Sequence, residues 1–222
     1  MNTDNYLKIK AFVQSMATLI AVSKTKPIEQ ILDLYNAGQR DFGENRVQEL
    51  TEKSEQLPKD IHWHLIGHLQ KNKVKVIAPF VHLIHSVDSF KLLEEIHKQA
   101  AKNNRIINCL LQIYIAREET KFGFSLEEAE KLIYSEQLKN LTNIKIVGFM
   151  GMATNTDNTN QIRNEFKSLA ALFNKYKNFQ TFNFQLLTLS MGMSSDFKIA
   201  IEEGSNMVRI GGLLFGERNY QK

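Results

Sequence analysis

Among its 222 residues this chain has a single cysteine, Cys109, a single tryptophan and three prolines. One thiol cannot close an intrachain disulfide, so nothing speaks for an oxidising compartment. Its place in the apolar run Cys109-Leu110-Leu111 predicts a buried, inert thiol. No apolar run approaches the roughly 20 residues that cross a bilayer. The first residues include Asp4 and lack an apolar core ahead of a small-residue cleavage site, so a soluble, cytoplasmic protein is expected. Low-complexity sequence is confined to the polar stretch from Asn155 to Asn160. No linker divides the chain, and one domain over residues 1–222 is the expectation.

With 43% hydrophobic residues the chain can bury one substantial core. The net charge of +4 and the pI near 9.0 make the surface mildly attractive to anions. Acidic and basic residues are interleaved, however, and the densest basic run, Lys71, Lys73 and Lys75, has no aromatic for a base to stack on. It reads as a solvated helix face. Neither nucleic acid nor a membrane is expected as a partner; a small phosphorylated ligand suits the charge.

Short β-branched or apolar runs alternate with longer amphipathic ones, the pattern of a parallel sheet with crossover helices. The predicted strands are Thr18 to Lys24, Arg40 to Gly43, Ile61 to Gly67, Leu83 to Val87, Asn108 to Ala116, Lys145 to Met152, Phe184 to Gly192 and Met207 to Gly211. Helices are predicted at Pro27 to Ala37, Asn45 to Gln56, Lys71 to Ile77, Ser89 to Ala101, Ser125 to Glu136, Thr159 to Tyr176 and Ser195 to Glu203, with an extra one near Tyr6 to Gln14 before the first strand. Eight strands and seven intervening helices predict an α/β fold of the (β/α)8 TIM-barrel class.

Barrels of this kind work at the C-terminal ends of their strands, often with a phosphate on the loops after strands seven and eight. Strand one ends in Ala21-Val22-Ser23-Lys24-Thr25-Lys26-Pro27. Alternation puts Ile20, Val22 and Lys24 on one face. Partial desolvation at a barrel mouth and the like charge of Lys26 would both favour a neutral, nucleophilic amine at Lys24; a lysine snorkelling to solvent is the plainer alternative. After strand seven, Ser190-Met191-Gly192-Met193-Ser194-Ser195-Asp196 offers a close backbone turn, hydroxyls and helix N–H groups, a phosphate cradle or a simple N-cap by Ser194 or Ser195. Strand eight ends in Val208-Arg209-Ile210-Gly211-Gly212. There two glycines admit a close ligand, and Arg209 can face an anion or a ring nitrogen, or make a surface ion pair.

These segments, with Phe42-Gly43-Glu44-Asn45, with His62-Trp63-His64-Leu65-Ile66-Gly67 and Leu69-Gln70-Lys71-Asn72-Lys73, and with Met207 ahead of Val208, resemble the pyridoxal phosphate homeostasis protein family. That family is similar to the N-terminal barrel of alanine racemase. The resemblance runs in order over essentially the whole chain. It implies pyridoxal 5′-phosphate (PLP) held as a Schiff base on Lys24, the first lysine of its motif rather than the second. Ser194 and the backbone at Gly211 and Gly212 would hold the phosphate, Arg209 would face the pyridine nitrogen, and Asn45 would lie near the cofactor. Many relatives have threonine at the place of Gly212, so a phosphate hydroxyl is missing here.

His62 and His64 form an H-x-H pair, a spacing that can bind zinc. Only His85 and Asp88 are placed to complete such a site, and no metal is expected. His68, His82 and His97 read as loop or helix-surface residues. Racemisation needs two bases and an electron sink. Lys24 would be one base. In the two-domain racemase the other is a tyrosine from a C-terminal domain, which is expected to be missing because this chain ends soon after Gly216. An arginine opposite the ring nitrogen leaves it unprotonated and a poor sink. The resemblance therefore implies a monomeric carrier or buffer of PLP serving PLP-requiring apoenzymes, with no catalytic residue assigned; a weak amino-acid racemase is the competing reading.

Overall fold

The computed structural model describes residues 3–116 and 122–216. Eight parallel strands close into a barrel: β1 (Thr18–Val22), β2 (Asp41–Glu44), β3 (His62–Leu65), β4 (Leu83–Val87), β5 (Ile107–Gln112), β6 (Ile144–Met150), β8 (Phe184–Ser190) and β9 (Met207–Ile210). Closure is at β1 and β9, where Ile20 pairs with Arg209, and at β6 and β8, where Met150 pairs with Ser190. A two-residue strand β7 (Gln180–Thr181) adds an antiparallel hairpin to β8, which the sequence pattern does not predict.

The outer faces of the strands are apolar because helices cover them, while apolar and polar side chains together fill the inside. Sheet and helices enclose one large core that runs around the barrel, from Ile31 and Leu34 through Val74 and Ile77 to Phe166 and Leu169. Inside lies a separate small cluster of Ile20, Leu83, Leu110, Val147, Met150 and Met207. Within the crossover helices, apolar residues recur at the helical period. Leu92, Leu93, Ile96 and Ala100 bury one face of α5 (Phe90–Lys102), while Lys71, Lys73 and Lys75 lie exposed on α4 (Lys71–Ile77), as expected.

The predicted helix from Ser125 to Glu136 is two pieces. Ser125 and Glu128 form a capping box that opens α6 (Leu126–Ile133), and Ser135 then caps a fresh turn, α7 (Glu136–Lys139). The N-terminal helix α1 (Thr3–Val13) buries Tyr6, Ile9 and Val13 and packs against β1, α2 (Ile28–Asn36) and the short α10 (Gly212–Phe215). It occupies ground that the four-residue α10 is too short to cover. Most predicted strands run past the observed ones at their C-terminal ends. Lys24, Gly67, Ala116, Met152, Gly192 and Gly211 have all left the ladder to build rim loops.

Candidate functional site

Strand β1 stops at Val22, and Lys24 lies partly buried in the turn that follows. Alternation therefore ends two residues before the lysine, and its neighbours are pinned by other means. The Ser23 N–H donates to the Gly43 carbonyl at 3.1 Å, and the Ser23 hydroxyl donates to Glu44 Oε1 at 2.6 Å. Lys53, from α3 (Val47–Gln56), reaches in to donate to the Ser23 carbonyl at 2.7 Å, to Glu44 Oε1 at 2.7 Å and to Glu49 Oε1 at 2.6 Å. Glu49 also accepts the Thr25 N–H at 2.6 Å, which holds Thr25 at the left-handed φ of 62°. Both peptide flanks of Lys24 are thus clamped by one buried ionic cluster. Burial pushes the Glu44 carboxyl up to about 7, against the pull of Lys53 and the Ser23 hydroxyl, and Glu44 Oε2 is buried with no hydrogen-bond partner. The second lysine of the motif is used differently: Lys26 Nζ donates to the carbonyls of Phe215 and Gly216 at 3.3 and 3.2 Å, at the end of α10.

Because β9 is the neighbour of β1, its end arrives beside this turn. A Cβ on Gly211 would stand 3.1 Å from the Val22 carbonyl oxygen, so glycine lets the two chains close up. The Gly211 N–H donates to Ser194 Oγ at 3.3 Å, which joins the loops after β8 and β9. A Cβ on Gly212 would meet nothing within 4 Å; the rim is open there. The helix after β8 starts later than predicted: α9 is Phe197–Glu202, and its N-cap is Asp196 rather than Ser194 or Ser195, with Asp196 Oδ1 accepting the Met193 N–H at 2.6 Å. Gly192, at φ +90°, makes the turn beneath, where a Cβ would be 2.6 Å from Ala200 Cβ.

Arg209 is no surface ion pair. It is 4% exposed; Nη1 donates to the Ser190 carbonyl at 2.9 Å and to Ser190 Oγ at 2.6 Å, and Nη2 to the Gly151 carbonyl at 3.1 Å. Burial lowers its pKa to about 10, with Asp196 opposing, and it remains a cation at neutral pH. Asn45 follows β2, with its backbone pressed so near Gly67 that a Cβ there would come 2.3 Å from the Asn45 carbonyl oxygen. It opens onto a groove of about 640 Å³ between α3 and α4, lined also by Arg46, Gln48, His68 and Lys73.

The imidazoles turn out to be hydrogen-bonding groups. Among the described residues no three His, Cys, Asp or Glu side chains are grouped to hold a metal. His62 Nδ1 and His64 Nε2 both lie 3.1 Å from Asp41 Oδ1. His64 Nδ1 is 2.9 Å from His85 Nε2, and His85 Nδ1 is 3.3 Å from Ser190 Oγ. His64 and His85 are buried and held below the ordinary imidazole pKa, first by desolvation. The His82 ring, exposed as expected, stacks on His62. Cys109 is buried, which pushes its thiol pKa up. No described helix is long and apolar enough to cross a membrane.

A closed barrel of eight parallel strands with helices between them defines a class, and the chain belongs to it: the family of the alanine racemase N-terminal domain, whose model matches residues 3–219. Within that class it belongs with the pyridoxal phosphate homeostasis proteins. It is 44% identical to the one of Aquifex aeolicus over 208 residues, covering 93% of this chain and 90% of that protein, and 40% identical to the one of Haemophilus influenzae over 210 residues, covering 93% and 87%. The PipY protein of Synechococcus elongatus PCC7942, 33% identical, superposes with a TM-score of 0.89 without PLP, over 97% of this chain and 100% of that one. Its structure with PLP bound superposes at 0.85, over 96% and 99%. Alanine racemase of Clostridium difficile 630 shares the fold alone, at 15% identity and a TM-score of 0.76, over 99% of this chain and 57% of that one.

Proposed function

We propose that this chain, as one barrel domain and a monomer, binds pyridoxal 5′-phosphate covalently through Lys24 and carries or buffers it inside the cell for PLP-requiring apoenzymes. The observation that carries this reading is the meeting of three features at adjacent strand ends: the clamped turn of Lys24, the Ser194–Gly211 pair, and the buried guanidinium of Arg209. The residues present fit such a group. The Ser194 hydroxyl and the Gly211 amide meet beside an open rim at Gly212, a place suited to phosphate oxygens, and a fixed cation stands one strand away from a primary amine. Bound PLP supplies an aldehyde that condenses reversibly with a primary amine and releases water. The names of the curated relatives and the PLP-bound PipY structure support the same reading.

Lys24 would hold the cofactor, Ser194 and the amides at Gly211 and Gly212 its phosphate, Arg209 its ring-nitrogen end, and Asn45 the approach from the β2 side. The reading is of a carrier rather than a racemase, because Lys24 is one base where racemisation needs two, and Arg209 can donate hydrogen bonds but no proton at neutral pH. The test is borohydride reduction of the PLP-loaded protein followed by peptide mapping. The phosphopyridoxyl group is expected on Lys24; label chiefly on Lys26 would overturn the assignment. Cα proton exchange of amino acids is expected to be no faster than with free PLP, and turnover near the typical enzymic 10 per second or so would overturn the carrier reading.

A further inference from the structure

The barrel's interior contains a polar thread that the site as described does not use. It starts at Asp41, the first residue of β2, partly exposed at the N-terminal end of the barrel, and ends at Arg209 on the far side. The links are Asp41 Oδ1 to His64 Nε2 at 3.1 Å, His64 Nδ1 to His85 Nε2 at 2.9 Å, His85 Nδ1 to Ser190 Oγ at 3.3 Å, and Ser190 Oγ to Arg209 Nη1 at 2.6 Å. His64, His85, Ser190 and Arg209 are each 4% exposed or less.

The direction of every proton follows from the two ends. A guanidinium only donates, so Arg209 gives its N–H to Ser190 Oγ; a carboxylate only accepts, so His64 donates to Asp41 from Nε2. With both imidazoles neutral, His64 accepts at Nδ1 from His85 Nε2–H, and His85 Nδ1 accepts the Ser190 hydroxyl proton. All four bonds point the same way, from the cation to the carboxylate, so each polarises the next. Burial alone would raise the Asp41 carboxyl, but its bonds to His64 and His62 bring it below the ordinary value, which keeps the accepting end ionised.

We propose that His64, His85 and Ser190 are positioning residues which fix Arg209 in the pose that meets the ring-nitrogen end of PLP, with Asp41 as the charge that anchors the thread at the opposite mouth of the barrel. This rests on the PLP reading above. None of the four touches the cofactor in this scheme; they act through Arg209. Packing alone does not account for the arrangement: a barrel interior is filled more cheaply by aliphatic layers, and four polar side chains in one donor order are needed only if the guanidinium must be held.

The experiment is a double-mutant cycle on the full chain, with PLP affinity by absorbance titration and the visible band of the bound cofactor as readouts. Ser190→Ala leaves Arg209 its bond to the Ser190 carbonyl at 2.9 Å, so the barrel is expected to fold; Ser190→Thr restores the hydroxyl. Ser190→Ala and Asp41→Asn are each expected to shift the band and to weaken binding, Ser190→Ala by about tenfold, the low end for a bond to a charged group. Ser190→Thr should recover the wild-type band. In an Arg209→Met background the effects of Ser190→Ala and Asp41→Asn should vanish, because the group they act through is gone. Effects that persist at full size in that background, or a band unmoved by Ser190→Ala, would overturn the thread while leaving PLP binding intact. A wild-type protein that takes up no PLP would overturn both readings.

Discussion

Removing Lys53 should cost more stability at high pH than at low, and the size of that difference follows from Glu44. The pair is buried, with side chains 7% and 0% exposed. In the folded protein the Glu44 carboxyl titrates at about 7, against 4.5 for the unperturbed group. The native state therefore holds a proton that the unfolded chain has already lost, and stability falls as pH rises through this window, by up to about 1.4 kcal/mol per unit. Between about pH 6 and pH 8 the wild type passes through its midpoint and loses about 1.4 kcal/mol from this group. Lys53→Met removes the main influence that opposes burial, so the Glu44 pKa climbs further and the same interval costs the variant more, up to the limit of about 2.7 kcal/mol for one proton over two pH units. At about pH 6 the neutral carboxyl spares the variant a bare buried charge, and it forfeits chiefly the hydrogen bonds of Lys53, about 1.5 to 3 kcal/mol. The deficit should thus grow to about 3 to 4 kcal/mol at about pH 8, in the range measured for broken buried pairs. Urea unfolding of the cofactor-free proteins at both pH values reads this directly, and the buried imidazoles cancel because both proteins have them. Parallel pH dependences for the two proteins would refute the argument.

At the rim, two substitutions should move affinity in opposite directions. Ser194→Ala removes the partner of the Gly211 amide and should weaken PLP binding roughly tenfold to hundredfold. Gly212→Thr places a hydroxyl in open space and should tighten it by about threefold to tenfold; equilibrium dialysis checks both. Gly192→Ala should destabilise the barrel by about 2 to 4 kcal/mol, since its φ of +90° and the 2.6 Å approach to Ala200 Cβ both exclude a side chain; thermal unfolding measures it.

The barrel was legible because its signals are local and repeated: apolar runs such as Leu83–Val87, and helices with a clean 3.6 period such as Thr159–Tyr176, whose limits match the prediction. The outliers are elements too short to carry a period, β7 and α10, and the break at Ser135, where one cap outweighs a continuing amphipathic pattern. The strand-end segments that hold Lys24, Ser194, Arg209 and Gly211 stood out in the sequence, but the clamp behind Lys24 did not. It joins Ser23, Glu44, Glu49 and Lys53 from three segments, and only the Glu49–Lys53 spacing of four on α3 hinted that two of them meet. The thread was hidden for a related reason. His62 and His64 drew attention because their spacing is familiar, while the residues they bond, Asp41 and His85, lie on neighbouring strands whose register only the closed sheet sets.

The two buried clusters divide the work at this rim. At the Lys24 turn the clamp grips peptide groups on either side of the lysine, the Ser23 carbonyl and the Thr25 N–H, and so steadies a backbone that includes one left-handed residue. Arg209 poses the reverse problem, a cation that must keep its charge and direction in a dry interior. Its two terminal nitrogens reach Ser190 and Gly151 at once, a span that the planar fork of a guanidinium allows and a single ammonium does not. Lysine at position 209 would therefore keep the charge and lose the pose. That separates the two contributions that a cation makes here, its charge and its direction.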